Sequence, residues 1–158
     1  MDMNSYQQPI LNFLTDIGIN IKIQELPDNT FLPGMTVSNG ALLVDPSRVK
    51  YPGDLLHEAG HLAVLGKQQR EKWDGDFTGA GGYEVAAIAW SYAACVKLGL
   101  PVEVLFHDEG YKGEATWLIE IFTNGEGLGL PMLEWLGMAR SSGDNAFPKM
   151  DVWLCPQA

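Results

Sequence analysis

Cysteines and long apolar runs are scarce in this sequence. Its two cysteines, Cys95 and Cys155, do not indicate a disulfide framework. No run approaches the roughly 18 apolar residues that a membrane span requires. Residues 1–5 also lack the basic and apolar stretches of a secretory signal. These absences predict a cytoplasmic protein that does not bind or cross a membrane.

Basic residues are also scarce. Ten lysines and arginines stand against twenty aspartates and glutamates, which gives a formal net charge of −10. Because such a charge repels nucleic-acid phosphates and anionic lipids, we expect neither as a partner, whereas a cationic peptide would be attracted. Solubility alone is the simpler explanation of the charge, and the one that we favour.

The remaining composition is that of a globular chain. Of the 158 residues, 46% are hydrophobic, which is enough for one substantial core. The sequence shows no internal repeat and no low-complexity linker. We therefore expect a single domain over residues 1–158, while the oligomeric state stays open.

The most informative segment is His57-Glu58-Ala59-Gly60-His61, which follows the H-E-x-x-H pattern. On an α-helix, residues four apart share one face, so both imidazoles can reach one tetrahedral zinc ion at about 2.0–2.1 Å. Glu58 would then lie near the open coordination position and could accept a proton from a bound water. The pattern predicts a zinc hydrolase site.

The residues around the motif favour a helix. Pro52 suits a first helical turn, and Asp54 complements the positive end of the helix dipole. Gly60 costs about 1 kcal/mol relative to alanine inside a helix, and two explanations are open: it clears space beside the metal, or a neighbouring element packs tightly against it. An apolar stripe with helical spacing consists of Leu55, Leu56, Ala59, Leu62 and Ala63.

A catalytic zinc site usually has three protein ligands, so one more must come from elsewhere in the chain. Residues 83–96 are apolar on nearly every face, which predicts a buried helix with Glu84 as its only charge. Because an isolated buried charge is costly, we expect zinc to be its partner. A solvated carboxylate at the helix start is the alternative. Asp74, Asp76 and His107 are the other candidate ligands.

The elements before the motif predict a helix and a small sheet. Helical spacing marks residues 5–17, and period-two alternation marks a strand over residues 19–23. Residues 35–37 and 41–44 flank Asn39-Gly40, a strong hairpin signal. We expect an α+β fold in which a small antiparallel sheet packs on the active-site helix. An edge of that sheet beside the metal could bind an extended peptide substrate.

After the motif, the glycine-rich stretch 66–82 is typical of a loop. Further helices are expected in the C-terminal part, over residues 101–106, 115–122 and 131–136.

Several other side chains have two interpretations. His107 could stabilise a transition-state oxyanion, although a lone loop histidine is more often solvated, and Tyr83 and Tyr111 are no stronger candidates. Three tryptophans could line a specificity pocket, but core packing is more common at their spacing. They are Trp117, Trp135 and Trp153.

The motif, followed by a helix that begins Glu84-Val85-Ala86-Ala87-Ile88-Ala89, resembles the minimal gluzincin pattern, and in particular the ImmA/IrrE-type metallopeptidases. The resemblance covers residues 41–98 and implies a zincin-like fold. The helix-turn-helix extension that often accompanies those proteins is not seen here, and residues 99–158 match no part of the pattern. The resemblance therefore implies no particular substrate. For the site, it implies zinc bound by His57, His61 and Glu84, with Glu58 as the general base.

These patterns together predict a zinc metallopeptidase that hydrolyses a peptide or protein substrate. Two other hypotheses remain open. In one, the metal site serves a non-catalytic structural or regulatory interaction domain. In the other, the protein is a metal-free helical interaction module whose histidines are ordinary polar residues.

Overall fold

The computed structural model of the protein describes residues 3–77, 81–111 and 113–158. A 3-10 turn over Met3–Tyr6 leads into α1 (Gln7–Asp16). The helix expected over residues 5–17 is thereby confirmed. Its buried apolar residues recur with helical spacing at Ile10, Leu11 and Leu14.

The described residues contain three short strands, β1 (Asn20–Ile23), β2 (Met35–Ser38) and β3 (Ala41–Val44). They form one mixed sheet in the order β1-β3-β2. β2 and β3 make the expected antiparallel hairpin, in which Asn39 and Gly40 have positive φ angles of 49° and 77°. The expectation of an antiparallel sheet is wrong for β1, which pairs parallel with β3. Residues 24–34 and the strand β2 together form the long connection that a parallel pair needs.

The outer edge of β2 is partly covered by residues 73–75. The N–H of Gly75 donates to the carbonyl oxygen of Val37 at 2.8 Å, and the N–H of Gly40 donates to that of Trp73 at 2.8 Å. An extended peptide would therefore find the Val37 carbonyl already bonded. The expected addition of a substrate strand gains no support at this part of the edge.

Two buried helices lie at the centre of the fold. They are α2 (Gly53–Ala63), which carries the motif, and α4 (Gly82–Leu98). The apolar stripe of α2 is completely buried, and α4 is buried on nearly every side between Ala86 and Cys95. The buried helix expected over residues 83–96 is confirmed.

The two helices approach each other closely at Gly60. A Cβ atom at this position would lie 2.9 Å from the carbonyl oxygen of Ala87 and 3.2 Å from the ring of Trp90. These contacts support the second explanation for this glycine, that a neighbouring helix packs tightly against it.

The loop expected over residues 66–82 is interrupted by a helix, α3 (Lys67–Lys72). None of its residues is buried, so it has no apolar stripe from which it could be predicted. Two further helices, α7 (Ala115–Thr123) and α8 (Leu130–Trp135), agree with expectation to within one residue at each end. The helix expected over residues 101–106 is shorter, α5 (Val102–Leu105), and α6 (Asp108–Tyr111) was not expected.

The tryptophans differ in their surroundings. Trp153 packs edge-to-face on Phe13 and Trp90, with ring centroids 5.0 and 5.6 Å apart. Trp117 and Trp135 are 50% and 67% exposed. Core packing is therefore confirmed for Trp153 and is wrong for the other two.

Residues near the C-terminal end of the fold contact both central helices. The indole N–H of Trp90 donates to the carbonyl oxygen of Trp153 at 2.8 Å. The N–H of Cys155 donates to the carbonyl oxygen of Ala63 at 2.8 Å, at the end of α2. Both cysteines are free and buried. Within the described ranges, none of the helices combines the length and the hydrophobicity needed to cross a lipid bilayer.

Candidate metal centre

One face of α2 presents both histidines of the motif. The opposite stripe of the helix is buried in the core, which fixes the rotation of α2 about its axis. The rings of His57 and His61 stack with their centroids 4.9 Å apart and their planes 25° apart. The helical spacing of four residues therefore places the two imidazoles side by side, as expected.

Glu84, in the first turn of α4, lies opposite the two histidines. Its Oε1 is 3.2 Å from Nε2 of His57, and its Oε2 is 2.9 Å from Nε2 of His61. The carboxylate is half-buried, so the alternative of a simply solvated group is not what the structure shows. The close packing of α2 on α4 brings this third side chain to the motif.

The three side chains form a candidate metal-binding group among the described residues, and each offers one ligand atom within 4.8 Å of the other two. Two ligand atoms that are each about 2.0–2.1 Å from a tetrahedral zinc ion lie about 3.3 Å apart. The observed separations of 2.9 and 3.2 Å between imidazole nitrogen and carboxylate oxygen are close to that value. The chemistry and the spacing of His57, His61 and Glu84 therefore fit a zinc ion.

The charge of Glu84 is stabilised by the imidazoles. Burial alone would raise the pKa of its carboxyl, but hydrogen bonds to His57 and His61 outweigh that effect and hold the pKa well below its usual range. Glu84 is therefore a carboxylate near neutral pH, which is the form that binds a metal.

Glu58 is buried next to His57 on the same helix. Burial raises the pKa of Glu58 to about 7. The charge of His57 opposes this shift, while the negative charges of Asp76, Asp54 and Glu84 add to it. A carboxyl group with a pKa near the operating pH can both accept and return a proton.

Tyr111, from the short helix α6, contacts the far side of His57. Its hydroxyl oxygen lies 3.2 Å from Nδ1 of His57, and the two rings stack with centroids 5.4 Å apart. A hydroxyl can accept from an Nδ1–H or donate to an unprotonated Nδ1, so the tautomer of His57 decides the direction of this contact.

Sequence reasoning did not assign Tyr111 to the site. It belongs to a helix of four residues, which is too short to show a helical period, and it approaches His57 from a distant part of the chain. A tyrosine by itself carries no signal of such a contact.

The other candidate ligands lie elsewhere. Asp74 is exposed, and its carboxylate accepts a hydrogen bond from the N–H of Asn39 at 3.2 Å. Asp76 is also exposed and acts on Glu58 only through its charge. Neither aspartate joins the metal-binding group.

His107 is not solvated, contrary to the simpler of its two expected roles. Its Nε2 lies 2.7 Å from Oδ1 of Asp54, and its ring stacks on Tyr51 at 4.1 Å. Its Nδ1 is buried and has no hydrogen-bond partner among the described residues. The pairing with Asp54 joins the loop after α5 to the first turn of α2, and it takes His107 away from the metal ligands.

Comparison of the chain with protein-family models, with curated proteins and with solved structures gave no match. The arrangement of the side chains is therefore the basis on which a function is assigned.

Proposed function

We propose that this protein is a zinc-dependent hydrolase with a zincin-like site that cleaves peptide bonds. The observation that supports this most strongly is the convergence of His57 and His61 on the carboxylate of Glu84. Glu58, buried beside the first histidine, supplies the base that such a hydrolase requires.

The hydrogen bonding of His57 is compatible with a cation at this position. If its Nδ1–H is donated to Tyr111, its Nε2 presents a lone pair to Oε1 of Glu84 at 3.2 Å. Two acceptors at that distance repel each other unless a proton or a metal ion lies between them. Nε2 of His61 lies 2.9 Å from the other carboxylate oxygen, where either its own N–H or a shared metal ion joins the two atoms.

A metal ion and protons are alternative occupants of these positions. Without a metal, neutral imidazoles can donate an Nε2–H to Glu84, and metal binding displaces such protons. One divalent ion instead binds both imidazole nitrogens and the carboxylate oxygen together. Two imidazoles and a carboxylate form a ligand set that zinc commonly uses in catalytic sites.

The number of ligands favours catalysis over a structural role. Structural zinc sites are closed by four protein ligands, whereas catalytic sites use three and leave one position open. Over the described parts of the chain, the group at this centre supplies three.

Zinc held by these residues would supply a water of lowered pKa and a Lewis acid for the scissile carbonyl. The residues of the chain would then have separate roles. Glu58 accepts a proton from the attacking water and returns it to the departing amine. Glu84 and the two imidazoles fix the position of the ion, and Tyr111 holds the ring of His57 in its orientation.

The direct test is a pair of substitutions measured for zinc content and for hydrolysis of a broad peptide library. Glu58→Gln should keep about one zinc per chain and lose about 10²- to 10⁴-fold in turnover. His57→Ala should lose both. Glu120→Gln, an exposed substitution of the same chemistry on α7, should change neither. Full zinc content in His57→Ala, or full turnover in Glu58→Gln, would contradict the proposal.

The same measurements separate the other hypotheses. Wild-type protein that binds zinc stoichiometrically but cleaves no member of the library would indicate a structural or regulatory metal site. Protein that contains no zinc after equilibration with the ion would indicate a metal-free interaction module.

A further inference from the structure

A cavity of about 180 Å³ opens beside the metal centre. Two of the proposed ligands, His61 and Glu84, form part of its wall. Tyr83, which is 45% exposed, lies at its rim, so the cavity is in contact with solvent. The rest of the wall is formed by Leu65, Gln69, Trp73 and Phe77.

Stacked rings form one side of this cavity. The ring of Phe77 lies on that of His61 with centroids 4.6 Å apart and planes 11° apart. The ring of Trp73 lies on Phe77 at 4.8 Å and 9°. The indole N–H of Trp73 is donated to the carbonyl oxygen of Gly75 at 3.1 Å. That donor is therefore already used, and the stack forms a largely apolar part of the wall that begins at a proposed metal ligand.

The wall provides little that would pair with a charged side chain. Among the lining residues that the structure describes, only Glu84 carries a fixed charge, and that charge is neutralised when the carboxylate binds a metal ion. Within the same set, Gln69 is the one neutral amide. A charged group that entered this cavity would lose its water without gaining a partner, which is costly.

The size of the cavity is matched to one side chain. Apolar cavities of about 150 Å³ hold a single benzene molecule. A space of about 180 Å³ therefore accepts one phenyl ring or one branched aliphatic group, and it is too small for a whole peptide or a drug-sized ligand.

We propose that this cavity is the subsite for a large apolar side chain of the substrate, so that the enzyme selects peptides with phenylalanine, tyrosine, leucine or methionine next to the scissile bond. The proposal rests on the proposed peptidase function. Because His61 and Glu84 belong both to the cavity and to the metal centre, a side chain in the cavity brings its own backbone to the metal. The residue in the cavity is therefore adjacent to the bond that is cut.

The first test is binding, which does not depend on catalysis. Zinc-loaded protein is titrated with N-acetyl-phenylalanine amide, N-acetyl-alanine amide and N-acetyl-aspartate amide while the indole N–H signal of Trp73 is followed by NMR. The phenylalanine probe should shift this signal saturably and bind about tenfold or more tightly than the other two. The indole signal of Trp135, which lines no part of the cavity, should stay unchanged.

A matched pair of variants on α3 tests whether the phenylalanine probe binds in the cavity. Gln69→Trp puts a large ring into the cavity and should abolish the shift produced by the phenylalanine probe. Gln68→Trp is the same change at the preceding, exposed position outside the cavity, and it should leave binding as in the wild type. Both positions lie on the exposed helix, so neither substitution disturbs the core.

Cleavage of a peptide library by the zinc-loaded protein completes the test. Products should show large apolar residues at one position beside the cut, and Gln69→Trp should weaken that preference at least tenfold relative to Gln68→Trp. Cleavage without an apolar preference, or a phenylalanine probe that binds no better than the alanine probe, would overturn the subsite. Selective binding of the phenylalanine probe without any cleavage would support the subsite and count against the peptidase function.

Discussion

The Tyr111 hydroxyl lies 3.2 Å from Nδ1 of His57, which leaves Nε2 of that ring facing Glu84 and the candidate metal site. Partners of this kind fix the tautomer and the orientation of a ligating imidazole, and their loss typically weakens metal binding 10- to 100-fold.

We predict that Tyr111→Phe lowers zinc affinity about 10- to 100-fold while it keeps the ring stacked on His57. Competition with a chelator of known affinity measures the change. Tyr92→Phe is the matched control, because it removes a tyrosine hydroxyl that bonds to the carbonyl oxygen of Phe122 and not to the metal centre. Equal zinc affinity in the two variants would show that the Tyr111 hydroxyl does not orient the ligand.

At this scale the sequence predicted the residues whose signal is local. His57, Glu58 and His61 follow from the helical repeat alone, and Glu84 was noticeable as the one charge in an apolar helix. His107 was misjudged because its partner, Asp54, lies 53 positions away. Contacts between distant parts of the chain leave no trace in a single sequence.

Among the elements, the contact between α2 and α4 sets the distance from the histidines to Glu84. At Gly60 the backbone of α4 comes so near that even a methyl group would lie 2.9 Å from the carbonyl oxygen of Ala87. A carbonyl oxygen in a helix cannot move aside as the end of a flexible side chain can.

We predict that Gly60→Ala lowers the free energy of unfolding by about 1–3 kcal/mol, because overpacking outweighs the gain in helix propensity. Zinc affinity should fall with it, since the helices are pushed apart at the site. Chemical denaturation and chelator competition measure the two effects. In the control Gly82→Ala, the new methyl group would meet the flexible side chain of Met132 at 3.2 Å, and stability should change much less. A Gly60→Ala protein as stable as the wild type would show that α2 and α4 have room to separate.

Another prediction at the scale of elements concerns Asp45, the residue that follows β3. Its buried carboxylate accepts hydrogen bonds from the N–H of Leu26 at 3.0 Å and from the hydroxyl of Ser47 at 2.7 Å. These bonds, the one from Leu26 most of all, hold the pKa of Asp45 below its usual 3.8. A depressed pKa means that the carboxylate stabilises the fold above about pH 4, and that this stabilisation is lost as the pH falls through the folded-state pKa.

Asp45→Asn should therefore lower the free energy of unfolding at pH 7, and the gap to the wild type should narrow as the pH falls from 5 toward 3. Urea denaturation at several pH values measures it, with Asp28→Asn as an exposed control. A gap that stays constant over this range would show that the ionised form of Asp45 is not what stabilises the loop.

Helices and strands with a regular apolar spacing could be predicted from the sequence. Which strands pair with each other, and in which direction, could not. The hairpin of β2 and β3 follows from Asn39-Gly40, whereas the parallel pairing of β1 depends on how residues 24–34 return across the sheet. The exposed helix α3 was missed because it buries no apolar face.

At the scale of the whole molecule, zinc binding should raise the free energy of unfolding. An ion that binds only the folded protein stabilises it by about 2.7 kcal/mol at 100 times its Kd. For a chain of 158 residues, this corresponds to a rise in Tm of about 5–10 °C.

We predict that zinc raises the Tm of the wild type by this amount and that a chelator reverses the change. Calorimetry of Glu58→Gln should show the same rise, since the ligands are intact, whereas His57→Ala should show almost none. An identical rise in wild type and His57→Ala would mean that zinc stabilises the fold somewhere other than this centre.

The bonds from Trp153 and Cys155 to the two central helices bear on the order of events during biosynthesis. The indole of Trp90 reaches its acceptor 63 positions later in the chain, and the last turn of α2 is likewise bonded by Cys155. Ribosomes add residues from the N-terminal end at about 5–20 per second. His57, His61 and Glu84 are therefore synthesised several seconds before Trp153 and Cys155 can bond to the helices that carry them. If the proposed site binds zinc, it is expected to acquire the ion only after residue 155 has been added.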